Sequence, residues 1–366
     1  MFASLAEIGA VFLKLGLVAF GGPAAHVALM RREVVTRRAW LPESAFLEDF
    51  AACQLIPGPT STELAVLLGY GRAGVPGLLV AGASFVSPAT VIMLLLAAVY
   101  SRFASSPLIA AALHGIRPVV VGIIGWALID LGRRIVRGPL AALIGLAVAA
   151  ASLLGANPIL LLIAGGVAAM LWQWRPPAQA PHLMLAVPTA VNTSIGGIFL
   201  AFLKFGALSF GSGYVLFAFL RSDVVDGYHW LTNQQLADAL AISQATPGPV
   251  FTVATFIGYL VAGLPGGLVA TFAIFLPGFL LVPLLGRLVA FVRGRRWAAS
   301  FLEGVNIAAL GLIAAVALLL GRVAVDGPLT AAIALVALLV LLRLPLAAPA
   351  LVIAGAALGL LGGLRF

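Results

Sequence analysis

Gln54-Leu-Ile-Pro-Gly-Pro-Thr-Ser-Thr62 returns further down the chain as Gln244-Ala-Thr-Pro-Gly-Pro-Val-Phe-Thr252, the same frame displaced by 190 residues (Gln54 onto Gln244). Working outward at that displacement, Lys14 falls on Lys204 and Phe20-Gly21 on Phe210-Gly211. Glu33-Val34-Val35 falls on Asp223-Val224-Val225, and Trp40-Leu41 on Trp230-Leu231. One deletion later, Gly69-Tyr70 meets Gly258-Tyr259, Pro88 meets Pro277, and Arg117 meets Asn306. A repeat of this length is two copies of one folding pattern. The copies are residues 1–175 and 190–366, joined by a polar, Pro-rich linker at 176–189.

The 366 residues are 63% hydrophobic and 9% charged, with a mean hydropathy of +1.16. A soluble domain carries about 25% charged residues, so this chain reads as an all-α polytopic membrane protein. Apolar stretches long enough to cross a bilayer fall at 5–29, 76–100, 108–131, 138–154 and 157–173. In the second copy they fall at 196–219, 265–290, 300–321, 328–343 and 346–364. The Pro-Gly-Pro segments, 44–70 and 234–259, are different. Their prolines remove backbone donors and break the helical ladder. Irregular backbone persists at membrane depth only when enclosed by protein or beside a wet cavity. Each segment is therefore a broken span or a re-entrant hairpin.

Arginine placement favours the hairpins. With both segments re-entrant, Arg31, Arg32, Arg37, Arg38, Arg72, Arg133, Arg134, Arg137, Arg175, Arg293, Arg295, Arg296 and Arg343 share the cytoplasmic side. Arg102, Arg221, Arg322 and Arg365 lie opposite, a split of thirteen to four against ten to seven for true spans. The two copies then have inverted topology, a design recurrent in secondary transporters. The same clusters account for the net charge of +9, which excludes nucleic acid as a partner. Lys14 and Lys204 are the only lysines, so the chain has no P-loop. His26, His114, His182 and His229 are isolated, so no metal or other cofactor is expected, and the lone Cys53 excludes an internal disulfide. Met1 to Leu17 lacks a basic n-region and is not read as a removable signal peptide.

Three constellations can carry function. The first is Phe20-Gly21-Gly22-Pro23-Ala-Ala-His26, with Gly211 and Gly213 in its second copy. Glycines there expose backbone, although tight helix packing uses them equally. The second is Gln54, Pro57, Gly58, Pro59, Thr60, Ser61 and Thr62, with Gln244, Pro247, Gly248 and Pro249. A helix starting after Pro-Gly-Pro presents free N–H groups and the positive end of its dipole, a ready anion site. A plain kink or hairpin tip accounts for the same motif. The third is the set of ionisable residues inside apolar stretches, which are usually functional or paired. Lys14 and Lys204 either charge a shared site or snorkel to the interface. Arg117, whose copy is Asn306, either binds an oxyanion or pairs with Glu303 or Glu63. Glu63 and His26 are the candidates for coupling a proton. Glycines from Gly355 to Gly363 suit either a homodimer face or packing within the chain.

Phe-Gly-Gly-Pro-x-x-His in the first copy, Phe-Gly-Ser-Gly-Tyr-Val-Leu in the second, and Gln-x-x-Pro-Gly-Pro in both resemble the chromate ion transporter family in its long, two-domain form. The resemblance spans essentially the whole chain. It implies a multi-pass carrier of the bacterial inner membrane that exports chromate by secondary transport and confers chromate resistance, with sulfate as a related oxyanion and membrane lipid as its surroundings. By motif position it implicates the Gly, Pro, His and Gln residues of the first two constellations. Pro23 and His26 become Gly213 and Leu216, and Thr60-Ser61 become Val250-Phe251. The copies are therefore unequal, and the first holds more polar chemistry. A sulfate-like oxyanion carrier, a channel, and a membrane-embedded enzyme using His26 and Glu63 are the rival readings.

Overall fold

The computed structural model describes residues 5–20, 22–104, 106–173, 193–210, 213–293, 295–344 and 348–363. Gly21, Gly211, Arg175, Arg365 and the 176–189 linker lie outside the described residues. The first copy holds α1 (Leu5–Val18), α2 (Gly22–Arg31), a π-helical turn (Arg32–Arg37), α3 (Glu43–Cys53), α4 (Thr60–Phe103), α5 (Pro107–Ile135), α6 (Pro139–Leu153) and α7 (Pro158–Gln173). The second holds α8 (Ile195–Leu208), α9 (Val215–Phe219), a π-helical turn (Leu220–Gly227), α10 (Asn233–Ala245), a 3-10 turn (Val250–Thr252), α11 (Val253–Leu281) and α12 (Leu285–Arg293). It closes with α13 (Arg296–Ala324), α14 (Pro328–Arg343) and α15 (Ala348–Gly363). Among the described residues no strand occurs, and four helical stretches are long and apolar enough to cross a membrane.

Two of those stretches are folded back on themselves. α4 reverses at Ala73-Gly74 and α11 at Ala262-Gly263, where the glycines take φ of 62° and 64°. That backbone region suits glycine because a Cβ would clash there. The arms then touch: a Cβ on Gly69 would lie 2.4 Å from the Gly77 carbonyl oxygen, and one on Gly258 would lie 2.3 Å from that of Gly266. The inner arm of α4 and α3 form a hairpin with Pro-Gly-Pro at its tip. Its two open ends meet where Arg72 stacks over Trp40 at 5.0 Å. α1 and α2 form a second hairpin opening on the same face. There Arg31 pairs with Glu43, and Trp40 Nε1 donates to Glu7 at 3.3 Å. Arms of 10 to 14 residues reach roughly 15–21 Å, short of a 30 Å hydrocarbon core.

Segments 44–70 and 234–259 are thus re-entrant, and the reading of 5–29 and 196–219 as single spans is corrected. Each breaks, after Val18 or Leu208, and returns to the face it came from. An ion pair ties each pair of arms together, Lys14 to Glu33 and Lys204 to Asp223. Apolar length alone does not distinguish such a hairpin from a crossing.

The copies are inverted. Gly82 packs against Phe279 and Leu94 against Gly267, so the outer arms of α4 and α11, which are repeat mates, run antiparallel. The mates α5 and α13 do the same, with Gly132 beside Leu310 and Val121 beside Gly321. Antiparallel mates are related by a two-fold axis across the helices. The ends of the copies also interlock. α5 packs against α14 and α15, and α13 packs against α6 and α7. Backbone contact makes these crossings close: a Cβ on Gly115 would sit 2.0 Å from the Gly355 oxygen, and one on Gly304 would sit 2.2 Å from that of Gly165. Gly355 and Gly359 are therefore committed to packing within the chain.

Candidate functional site

Four hairpin tips meet halfway along the outer arms of α4 and α11. Gly58 N donates to Ser209 O at 2.9 Å, and Gly248 N donates to Ala19 O at 3.0 Å. Each Pro-Gly-Pro loop of one copy thereby caps the broken helix of the other. Pro57, Gly58, Pro59, Pro247, Gly248 and Pro249 are all buried. Gly58 and Gly248 have φ of +133° and +96°. Gly248 lies against Ala89, the middle of the 75–103 arm, which places the tips near mid-depth.

The first copy supplies most of the polar groups, as its sequence suggests. Thr60 opens the inner arm of α4, and the Thr62 and Glu63 amides close on Pro59 O. The positive end of that helix therefore lies at Thr60 and Ser61. Ser61 Oγ is 3.1 Å from His26 Nδ1, and His26 Nε2 is 3.0 Å from Ala19 O. A carbonyl only accepts, so Nε2 carries the proton and, in the neutral ring, Ser61 donates to Nδ1. His26 thus joins the α1 break to the tip of the next hairpin. Gly22 and Pro23 open α2, the arm that carries His26.

Three buried side chains at the tips have atoms without a hydrogen-bond partner: Thr62 Oγ1, both Glu63 oxygens and Gln244 Nε2. Buried polar atoms left unpaired are uncommon and signal a ligand, an ion or water. Gln54 is exposed at the end of α3, whereas its copy Gln244 is buried. In the second copy the hydroxyls are satisfied by backbone, Ser243 by Val250 O and Thr252 by Pro249 O. Gly213 is beside Phe251.

The ionisable residues divide differently from expectation. Lys14 is 2.6 Å from Glu33, and Lys204 bonds Asp223 and Tyr228. Both are hairpin braces whose charge is already neutralised, not free cations of the tips. Arg117 pairs with neither Glu303 nor Glu63. Its Nε lies 2.6 Å from Asp238 Oδ1 and its Nη2 3.2 Å from Oδ2, which also accepts from Tyr100 at 2.9 Å. Asp238 and Tyr100 were not among the sequence candidates. The available signal was a carboxylate inside an apolar hairpin arm. Asn306 stands half-buried on α13, near the crossing with α7.

A groove of about 900 Å³ between the outer arms of α4 and α11 is lined by Leu79, Val86, Phe272, Phe275 and Phe279. Its apolar walls suit acyl chains and offer a dianion almost no donors.

Re-entrant tips meeting at mid-depth between inverted repeats define a multi-pass helical membrane protein built from two repeats. The sequence model of the family described as "Chromate transporter" matches residues 6–170 and again 196–360. The chain belongs to that family. It is 35% identical to a chromate transport protein of Cupriavidus metallidurans, over 97% of this chain and 92% of the relative. It is likewise 35% identical to a probable chromate transport protein of Synechococcus elongatus, over 92% and 89%. A chromate transport protein of Pseudomonas aeruginosa is 33% identical over 88% and 82%. No solved structure matches the chain.

Proposed function

We propose that this protein is a secondary carrier that exports chromate and so confers resistance, holding the dianion where the four hairpin tips meet. The observation that carries the reading is the helix end at Thr60 and Ser61, with buried side-chain atoms left unpaired on Thr62 in its first turn and on Gln244 at the end of α10. A helix N-terminus carries about half a positive charge and unbonded N–H groups, which suit a tetrahedral oxyanion. Two hairpins enter from each face, so a small shift of either pair opens the same point to one side or the other. The repeats at 1–175 and 190–366 supply these parts symmetrically, but the bodies that move draw on both. One is the hairpins with α4 and α11; the other is the interlocked bundle of α5–α7 and α13–α15. Arg117 on α5 and Asp238 on α10 join the two bodies.

The test is chromate uptake into energised everted vesicles, with and without excess sulfate, against vesicles lacking the protein. Saturable accumulation that collapses with the gradient supports export, and sulfate competition measures how well the tips separate similar dianions. Absence of accumulation by folded protein overturns the reading.

A further inference from the structure

We propose that Glu63 is the proton-binding residue of this carrier, and that proton and dianion occupy the hairpin tip together. The inference rests on the carrier reading above and adds the coupling ion, its residue and the sign of the coupling. Glu63 is 1% exposed, and neither carboxyl oxygen has a hydrogen-bond partner. Among the described residues its surroundings offer no cation. α3 presents Cys53, with Asp49 beyond it. α2 presents His26, which is bonded to Ser61 and Ala19. α11 brings Gly278 close to the Glu63 side chain. An ionised carboxylate enclosed without donor or counter-charge is strongly disfavoured, whereas the acid form is tolerated. His26, the other coupling candidate, has both ring nitrogens engaged and acts as a strut.

The pocket is built for the group. A Cβ on Gly58 would lie 2.3 Å from Glu63 Oε1, so the glycine of Pro-Gly-Pro leaves the space the carboxyl fills. Glu63 is one helical turn from the Thr60 end where the anion would sit. A negative Glu63 repels a dianion there, so each ligand strengthens binding of the other, and that linkage is reciprocal. Glu63 takes its proton from water on the open side and returns it to water on the other side. The proton travels in the same direction as the anion, and each dianion carries one net negative charge across. Val253 holds the position equivalent to Glu63 in the second copy, so each chain carries one such proton.

Two measurements on the full-length protein decide this. Infrared spectra at neutral pH should show the carbonyl band of a protonated carboxyl that shifts with isotopically labelled glutamate and vanishes in Glu63→Gln. The isotope shift assigns the band to a glutamate even if the variant does not fold, and among the described residues Glu63 is the one glutamate with a buried carboxyl lacking a partner. In proteoliposomes, chromate affinity of the wild type should weaken about tenfold per pH unit on the alkaline side, the slope of one linked proton, and Glu63→Gln should lose that slope. Absence of the band overturns the proposal, as does a slope that survives in Glu63→Gln. If the band is present but neither chromate nor sulfate exchanges, the carrier reading fails while Glu63 remains a protonated group.

Discussion

Asp238 is 2% exposed and accepts three hydrogen bonds, two from Arg117 and one from Tyr100. Removing only the cation strands that charge. Arg117→Met should cost about 3–5 kcal/mol, while Arg117→Met with Asp238→Leu should recover most of it. Thermal unfolding in detergent checks this, and a double variant as unstable as the single one would falsify the pairing. Glu33 answers to pH instead. Its burial favours the acid form, but hydrogen bonds from Lys14 and Arg38, with the charges of Lys14 and Arg37, outweigh this and hold its pKa at about 2 against the usual 4.5. A depressed folded value means its contribution is complete above about pH 4.5 and fades as pH falls towards 2. Acidification through that window should destabilise the wild type more than Glu33→Gln, measured as the difference in Tm. At this scale the sequence was half legible. The repeated motifs marked His26, Ser61 and the two Pro-Gly-Pro loops. Pairing was not legible, because Lys14 meets Glu33 and Arg117 meets Asp238 through folding distances that no spacing encodes.

A hairpin tip works only if its loop turns tightly while touching a neighbour. Gly248 has φ of +96°, and a Cβ there would lie 2.6 Å from that of Ala89 on α4. Gly248→Ala therefore meets two penalties, a backbone strain of about 1–3 kcal/mol and a clash between elements. Adding Ala89→Gly removes only the second, so the double variant should recover part of the lost Tm and part of the lost chromate flux. Complete recovery, or none, would show that one of the two penalties is absent. Most helices could be placed within a few residues from apolar runs, because each begins and ends close to where its run does. The α1–α2 and α8–α9 hairpins could not. Each is as apolar and as long as a crossing, and its reversal is fixed by a salt bridge between arms and by glycines whose sequence also fits simple packing.

The two hairpins misread as crossings leave the arginine split intact, because neither places a described arginine on the wrong face. What changes is the address of the first residues in each copy. If 5–29 crossed the membrane, Leu5 would share a face with Ser101, and Ser194 would share one with Gly138. In the structure α1 starts beside Trp40 and Arg38, on the face of Arg72. α8 runs parallel to the outer arm of α11, with Gly206 against Ile274, and so starts on the opposite face. Impermeant thiol labelling separates the two arrangements. Cys53 is the single cysteine and is buried, so Cys53→Ser gives a clean background for single cysteines. Leu5→Cys should label from the same side as Gly138→Cys, and Ser194→Cys from the side of Ser101→Cys. Labelling of Leu5→Cys with Ser101→Cys would return α1 to a full crossing. It would also dissolve the meeting of tips, since Ala19 would no longer lie at mid-depth to accept from Gly248. Inverted hairpins, rather than a larger number of crossings, are what bring tips from both faces to one point inside the molecule.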